Sequence, residues 1–246
     1  MVWTKNMKVV IAHFGPLSEL IVASSVNHGI KKHLMDISIT WVVPEEHKYI
    51  FKHNKNVSRI FSYDEFWDQE GEDYDLCINL WPIDIKTKAN IKKGTGFGFY
   101  DEFSKYEDAL MGTNSFPEMS NLQLYFYLSG MTWGGEGYDI CYYPRTKTKK
   151  NKIGMSAANA NLRNYVSNNL EVDDKKIWHI PYKKNIFKRM DEINRCKKII
   201  TDDPLTLHLA LLLRKYVYYL ETYPHTLRLE LFKNGQIYHV PYSYLK

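Results

Sequence analysis

An α/β fold in two lobes is what this sequence predicts, and three observations carry the expectation. Short apolar runs of strand type alternate with helical stretches from Lys8 onward, and the same alternation restarts at Ile153. Between the two series lies an irregular segment, Met131 to Lys152, with Gly134, Gly135, Gly137, Pro144 and the basic run KTKTKKNK, which reads as a domain boundary. Alternation of this kind implies parallel sheets with helices on both faces.

In the first series, KVVIAHF at Lys8 to Phe14 reads as a strand buried on both faces, broken by Gly15 and Pro16. From Ser18, a candidate N-cap, the apolar residues Leu20, Ile21, Ala23, Val26 and Ile30 predict a single amphipathic helix. Ile37 to Val43 predicts a second strand. Pro44 closes it before a charged segment that reads as helical to about His53. Strands near Ser58 to Phe61 and at Asp75 to Leu80 follow. Gly94 to Gly98, GTGFG, does not fit the spacing of a phosphate loop and reads as a flexible loop. Met119, Leu122, Leu124, Tyr125 and Leu128 form a stripe on a helix from Pro117 that ends at Gly130.

The second series predicts strands at Ile153 to Ser156, Lys176 to Ile180, Lys198 to Thr201 and Tyr216 to Leu220. Helices from about Asn159 to Asn169, Asn185 to Arg195 and Leu205 to Leu213 separate them. Residues Leu227 to Val240 break the pattern, because LRLELF and QIYHV flank Asn234-Gly235, a strong hairpin signal. A C-terminal β-hairpin, and not another crossover, is therefore expected. The lobes are set at residues 1–135 and 150–246.

Composition narrows the function. With 246 residues and 44% hydrophobic content the chain can bury one large core or two small ones. No apolar run approaches the roughly 20 residues of a membrane span. The N-terminus shows no small-residue cleavage site, so the expected location is the cytoplasm of its own cell or of a host. Cys77, Cys141 and Cys196 form no CxxC motif, and no cluster has metal-ligand spacing, so no required metal is expected. Lysines and arginines exceed acids by 33 to 28, which suits a polyanionic partner as well as ordinary solubility.

Two segments resemble the heptosyltransferases, glycosyltransferase family nine. FGPLSELIVASSVNHGIKKHLMDISITWVVPEE is similar to that family's first strand, loop, acidic residue, helix and second strand. Glu19 stands where the family usually has aspartate, and Ser18 replaces the preceding glycine. TDDPLTLHLALLLRKYVYYLETY, from Thr201, resembles the family's second-lobe signature through Asp203, His208, Leu209, Ala210, Leu213, Lys215 and Val217, with Leu205 in place of a glycine. The resemblance implies two Rossmann-like lobes of the GT-B type, the second reduced. It also implies an inverting transferase that moves a sugar from a nucleotide-sugar donor, UDP- or ADP-linked, to an acceptor hydroxyl. In that scheme the first lobe serves the acceptor and the second the donor.

The residues fit such chemistry in named roles. Transfer needs a base for the acceptor hydroxyl and donors for the leaving diphosphate. Glu19, past the end of the first strand, is the candidate base; it is equally an acid that the helix dipole favours. Asp203, Thr206, His208 and Thr222 are the candidate donor-binding residues, with Asp203 alternatively a helix cap and His208 alternatively a core residue. Lys147, Lys149, Lys150 and Lys152 are candidates for binding an anionic acceptor, a lipopolysaccharide core or a hydroxymethylated base in phage DNA; alternatively they form a solvated face. Oligomeric state is not legible, and a non-catalytic binding protein on the same scaffold is the competing class.

Overall fold

The computed structural model describes residues 7–34, 36–69, 72–81, 85, 95–98, 121–149, 152–156, 177–181, 183, 185–220 and 237–240. The chain divides into two compact units, Met1–Cys141 and Tyr142–Lys246, so the division falls inside the irregular basic segment. Each unit is built on its own five-stranded sheet.

The first sheet runs β3-β2-β1-β4-β5, all parallel, from β1 (Met7–Ala12), β2 (Ile37–Val42), β3 (Arg59–Phe61), β4 (Leu76–Asn79) and β5 (Thr95–Gly98). β1 lies at its centre, with Val9, Val10, Ile11 and Ala12 fully buried, as a run without polar alternation requires. Val10 and Ala12 face a cluster with Val42, Cys77, Tyr74 and Phe66. Phe66 comes from α3 (Tyr63–Asp68), whose start is fixed by a capping box between Ser62 and Glu65. β5 corrects the reading of GTGFG: the described part of that loop, Thr95–Gly98, is an edge strand. Its backbone pairs with β4, and glycines give no side-chain period from which a strand could be read.

The single helix expected after β1 is two, α1 (Leu17–Ala23) and α2 (Val26–His33). The Ser24 and Ser25 hydroxyls donate to the carbonyls of Ile21 and Val22, and this back-bonding competes with the helical ladder at the break. Ser18 is not the cap either. Pro16 holds that position and its carbonyl accepts from the amides of Glu19 and Leu20. The charged segment after Pro44 is a 3-10 turn, Glu45–Ile50, from which the chain leads Phe51 into a stack on Trp41 with ring centroids 4.7 Å apart. α4 (Asn121–Leu128) closes with Gly130 at φ 70°, a left-handed position that suits glycine.

The second sheet runs β10-β9-β8-β6-β7, again parallel, from β6 (Ile153–Ser156), β7 (Ile177–His179), β8 (Lys198–Thr201), β9 (Tyr216–Leu220) and β10 (Ile237–Val240). α5 (Ile186–Asn194) and α6 (Pro204–Leu212) are capped by the side chains of Asn185 and Asp203. β10 corrects the expected chain end. It lies parallel to β9, and parallel neighbours require the chain to return to the same end of the sheet, which is a crossover. The other arm of the expected hairpin, Leu227 to Phe232, and Asn234-Gly235 lie outside the described residues, as does the helix expected at Asn159 to Asn169.

The last stretch of the first unit is tied down by one buried carboxylate. Asp139 Oδ2 accepts from Asn27 Nδ2 at 2.9 Å and Asn56 Nδ2 at 3.1 Å, while its amide donates to Ser24 Oγ and its carbonyl accepts from Asn54 Nδ2 at 2.6 Å. Asn27 also accepts from the indole of Trp41. Asp139→Ala leaves the buried Asn27 amide and the half-buried Asn56 amide without their acceptor and should cost about 2–4 kcal/mol in urea unfolding of the full chain, with Asp139→Asn costing less. A loss below about 0.5 kcal/mol, the level of an ordinary surface change, would show that this network does not hold the segment.

Candidate functional site

An open parallel sheet parts its connections where the strand order reverses, and ligands bind at the carboxyl ends of the strands beside that point. In the first unit the reversal falls between β1 and β4. The residues just past those strand ends are His13, Gly15 and Trp81, with Glu19 in the first turn of α1. Gly15 has a steric reason: a Cβ there would lie 2.3 Å from the Trp81 ring.

Three side chains at this crevice form one hydrogen-bonded line. His13 Nδ1 accepts from the Gly15 amide at 3.3 Å, and His13 Nε2 lies 3.0 Å from the hydroxyl of Tyr125 on α4. Tyr125 Oη in turn donates to Glu19 Oε2 at 3.2 Å. His13 is fully buried, and this burial, aided by the charge of His47, lowers its pKa to about 3, so the ring is neutral at physiological pH. With Nδ1 accepting, the one ring proton sits on Nε2 and points at Tyr125. The Tyr125 hydroxyl, held protonated by burial and by the adjacent Glu19, then places its own hydrogen on Glu19. Burial raises the Glu19 pKa, and the hydrogen bond from Tyr125 opposes that shift. The result is a half-buried carboxylate more basic than a solvated one, which is what a general base requires.

Sequence reasoning singled out Glu19 but neither of the two residues bonded in line with it. His13 ended an apolar run and Tyr125 sat in an apolar stripe, so neither showed that its polar atom was used. A histidine beside a Gly-Pro break, where a buried strand reaches the crevice, was the available signal.

The second unit has its own reversal, between β6 and β8. Ser156, Arg189, Asp203 and Thr206 meet there. Buried Arg189 donates through one guanidinium nitrogen to Ser156 Oγ at 3.1 Å, to Asp203 Oδ2 at 2.5 Å and to Thr206 Oγ1 at 2.5 Å. Asp203 also accepts from the amides of Leu205 and Thr206. Of the two roles open to Asp203, the structure shows the cap: the amides expected to meet a phosphate are engaged by its carboxylate. Thr206 is fully buried, with its hydroxyl 2.6 Å from Asp203. His208 is 2% exposed on α6, and burial lowers its pKa to about 4. Thr222 lies outside the described residues.

The candidate lysines fall on a strap strapped tightly to α5. Arg145 N donates to Asp191 Oδ1, Thr146 Oγ1 to Asp191 O, and Thr148 Oγ1 to Asn194 O. Buried Lys215 adds bonds to Thr148 Oγ1 at 2.9 Å and to Asn194 O at 3.0 Å. Lys147 and Lys149 are exposed, Lys152 stacks its ammonium 3.6 Å from the Trp178 ring centre, and Lys150 lies outside the described residues. An open groove of about 480 Å³ beside Lys48, Lys52 and Arg59 lies at the β3 edge, two strands from β1. Lys48 there is already paired with Glu65 and Arg59 with Glu72. Among the described residues no group of three His, Cys, Asp or Glu could hold a metal ion, and no helix is long and apolar enough to cross a membrane.

No family model matches this sequence, and no curated protein matches it. Solved structures do. A family 9 glycosyl transferase from Veillonella parvula superposes with a TM-score of 0.67 at 12% identity, over 96% of this chain and 86% of that one. E. coli heptosyltransferase WaaC with ADP gives 0.59 at 13% identity, over 96% and 91%, and E. coli ADP-heptose LPS heptosyltransferase II gives 0.61 at 11%, over 94% and 90%. The chain has the heptosyltransferase fold. Its two parallel sheets are the Rossmann-like lobes that the resemblance implied.

The two buried histidines set a direction for acid stability. Their folded pKa values, about 3 and about 4, lie below the unfolded value near 6.5, so the unfolded chain takes up protons that the folded one refuses. Stability present above pH 6.5 is therefore lost as pH falls through that window, by at most about 1.4 kcal/mol per pH unit for each histidine. Urea midpoints of the full chain should fall between pH 6.5 and 4.5, and less steeply in His208→Gln. A flat wild-type profile would show that these rings are not buried neutral.

Proposed function

We propose that this chain is an inverting glycosyltransferase in which Glu19 removes the proton from the acceptor hydroxyl. The observation that carries this reading is the place and state of Glu19. It stands at the β1/β4 reversal, made more basic by burial and held by Tyr125. In the step itself the acceptor oxygen bonds to the anomeric carbon as the bond from that carbon to the nucleoside diphosphate breaks. The hydroxyl proton passes to the Glu19 carboxylate, and the electron pair leaves with the diphosphate. One displacement inverts the anomeric centre.

The donor site in this reading is the β6/β8 reversal of the second unit. Asp203 and Thr206 order Arg189 and the start of α6, and neutral His208 supports that helix from the interior. Thr222 is retained as a donor contact on the resemblance alone. Solved structures of the same fold are described with ADP and with ADP-2-deoxy-2-fluoro heptose, which supports an ADP-sugar as the first donor to test. The acceptor is anionic, met by Lys147 and Lys149 on their pinned strap and by Lys152, with Lys150 retained from the sequence alone. A lipopolysaccharide core and hydroxymethylated DNA are the two acceptors that such a surface fits.

Incubation with ADP-, UDP-, GDP- and CMP-sugars, each with heptose-deficient lipopolysaccharide or hydroxymethylcytosine DNA, should give turnover with one pair. Glu19→Gln should lower kcat by roughly 10² to 10⁴ while donor binding survives. Since burial raises the Glu19 pKa, the folded protein loses stability as pH climbs from the usual carboxylate value through the raised one, so Glu19→Gln should melt no lower than wild type at pH 8. A stable Glu19→Gln protein with near-normal kcat would remove Glu19 from the mechanism. Binding of a nucleotide sugar without turnover on any acceptor would favour a binding protein. Replacing Lys147 and Lys149 by Gln should weaken acceptor binding and reduce its salt slope by about two. An unchanged slope would return them to a solvated face.

A further inference from the structure

We propose that Tyr125 is a positioning residue for Glu19, and that His13 fixes the direction in which the Tyr125 hydroxyl points. The inference rests on the reading of Glu19 as the base and adds two residues to that site.

The argument is one of hydrogen-bond direction. A phenol has one hydrogen to give. Tyr125 Oη has two partners, His13 Nε2 at 3.0 Å and Glu19 Oε2 at 3.2 Å, and a carboxylate can only accept. If His13 Nε2 were the unprotonated nitrogen, it would compete with Glu19 for that hydrogen. The Gly15 amide settles the competition by donating to Nδ1, which leaves the ring proton on Nε2. His13 then donates to Tyr125, and Tyr125 is left to donate to Glu19. The backbone of the Gly15 turn thus sets the direction of every bond in the line.

Burial keeps that direction from reversing. His13 is fully buried and Tyr125 is 3% exposed, so neither exchanges its partner for water at low cost. Three elements contribute: His13 follows β1, Tyr125 comes from α4 and Glu19 from α1. Among the described residues the ionisable groups facing Glu19 are Tyr125 and, one bond further, His13. His47 in the 3-10 turn acts on His13 through its charge.

The line does two things for a base. It occupies Oε2 and so fixes the carboxylate plane; among the described residues no donor reaches Oε1, the oxygen left to take the acceptor proton. It also offsets part of the desolvation that raises the Glu19 pKa, so that the group stays ionised while remaining basic. A purely structural tie between α4 and the β1 turn would do neither.

The test pairs a titration with kinetics. In protein carrying glutamate labelled with ¹³C at the carboxyl carbon, Glu19 is assigned by its absence in Glu19→Gln and titrated by NMR, which needs no substrate. Tyr125→Phe should move the Glu19 midpoint to higher pH, carry the acid limb of kcat/KM with it, and lower kcat about tenfold with donor KM within twofold. His13→Phe should shift the midpoint in the same direction. His13→Gln, whose amide nitrogen can still donate to Tyr125, should restore much of it. Should Tyr125→Phe fail to fold, the His13 pair reads the same line. An unchanged midpoint and acid limb in Tyr125→Phe, alongside a Glu19→Gln enzyme that has lost turnover, would overturn the positioning role and leave Glu19 as base. Normal turnover in Glu19→Gln would overturn both.

Discussion

Burial of β1 on both faces is the constraint from which the first unit follows. A strand with four consecutive fully buried side chains cannot sit at an edge or face water, so it takes β2 on one side and β4 on the other. Parallel pairing then forbids tight turns between neighbours and demands crossovers, which β1 sends out through α1 and α2. With β2 and β4 on opposite sides, the connections part between β1 and β4, and a crevice opens there. The chain leaving β1 enters that crevice at once. His13 and Glu19 are where they are because β1 is where it is.

The same logic runs through the second unit with different groups. β6 is flanked by β7 and β8, and the reversal beside it is filled by Arg189, Asp203, Thr206 and Ser156. At the first reversal the hydrogen-bonded line ends on a carboxylate of which one oxygen, Oε2, is held by Tyr125. At the second, a cation is already matched by a carboxylate and two hydroxyls. The two units thus share a scaffold and differ in what their strand ends present, one a half-buried carboxylate and the other an ordered framework.

Most strands and helices were legible because each carries a period of its own. β8 and β9 coincide with their expected spans, and α5 and α6 lie within a residue of theirs. The departures have identifiable causes. Ser24 and Ser25 broke a helix whose apolar spacing ran through unbroken, because back-bonding by hydroxyls leaves no mark on hydrophobic period. α3 carried its capping box, Ser62 to Glu65, in plain view, but its six residues were too short for periodicity to register. β5 has glycines where side chains would have alternated. In the candidate site, Glu19 was legible because it stands just past the first strand, where the resembled family carries an acidic residue. His13 and Tyr125 were not, because the direction of a hydrogen bond between residues 112 apart is a property of the fold.

The energetics of the line also separate a site from a core. A core gains by replacing a buried carboxylate with an apolar group, since desolvation disfavours the charge. Here Glu19 is kept half-buried with one described partner, Tyr125, whose bond offsets part of that cost. Asp139 in the same unit shows the structural alternative: a buried carboxylate with Asn27 and Asn56 as donors and His28 beside it at 3.5 Å. Asp139 has partners at both oxygens, while among the described residues Glu19 is bonded at Oε2 alone. Local consistency is broken at Glu19 and nowhere comparable along α1, whose Leu20, Ile21, Val22 and Ala23 are all buried apolar residues. A half-buried carboxylate whose desolvation is only partly offset is what the proposed base requires, whereas Asp139, met by its amide donors, is what a structural tie requires.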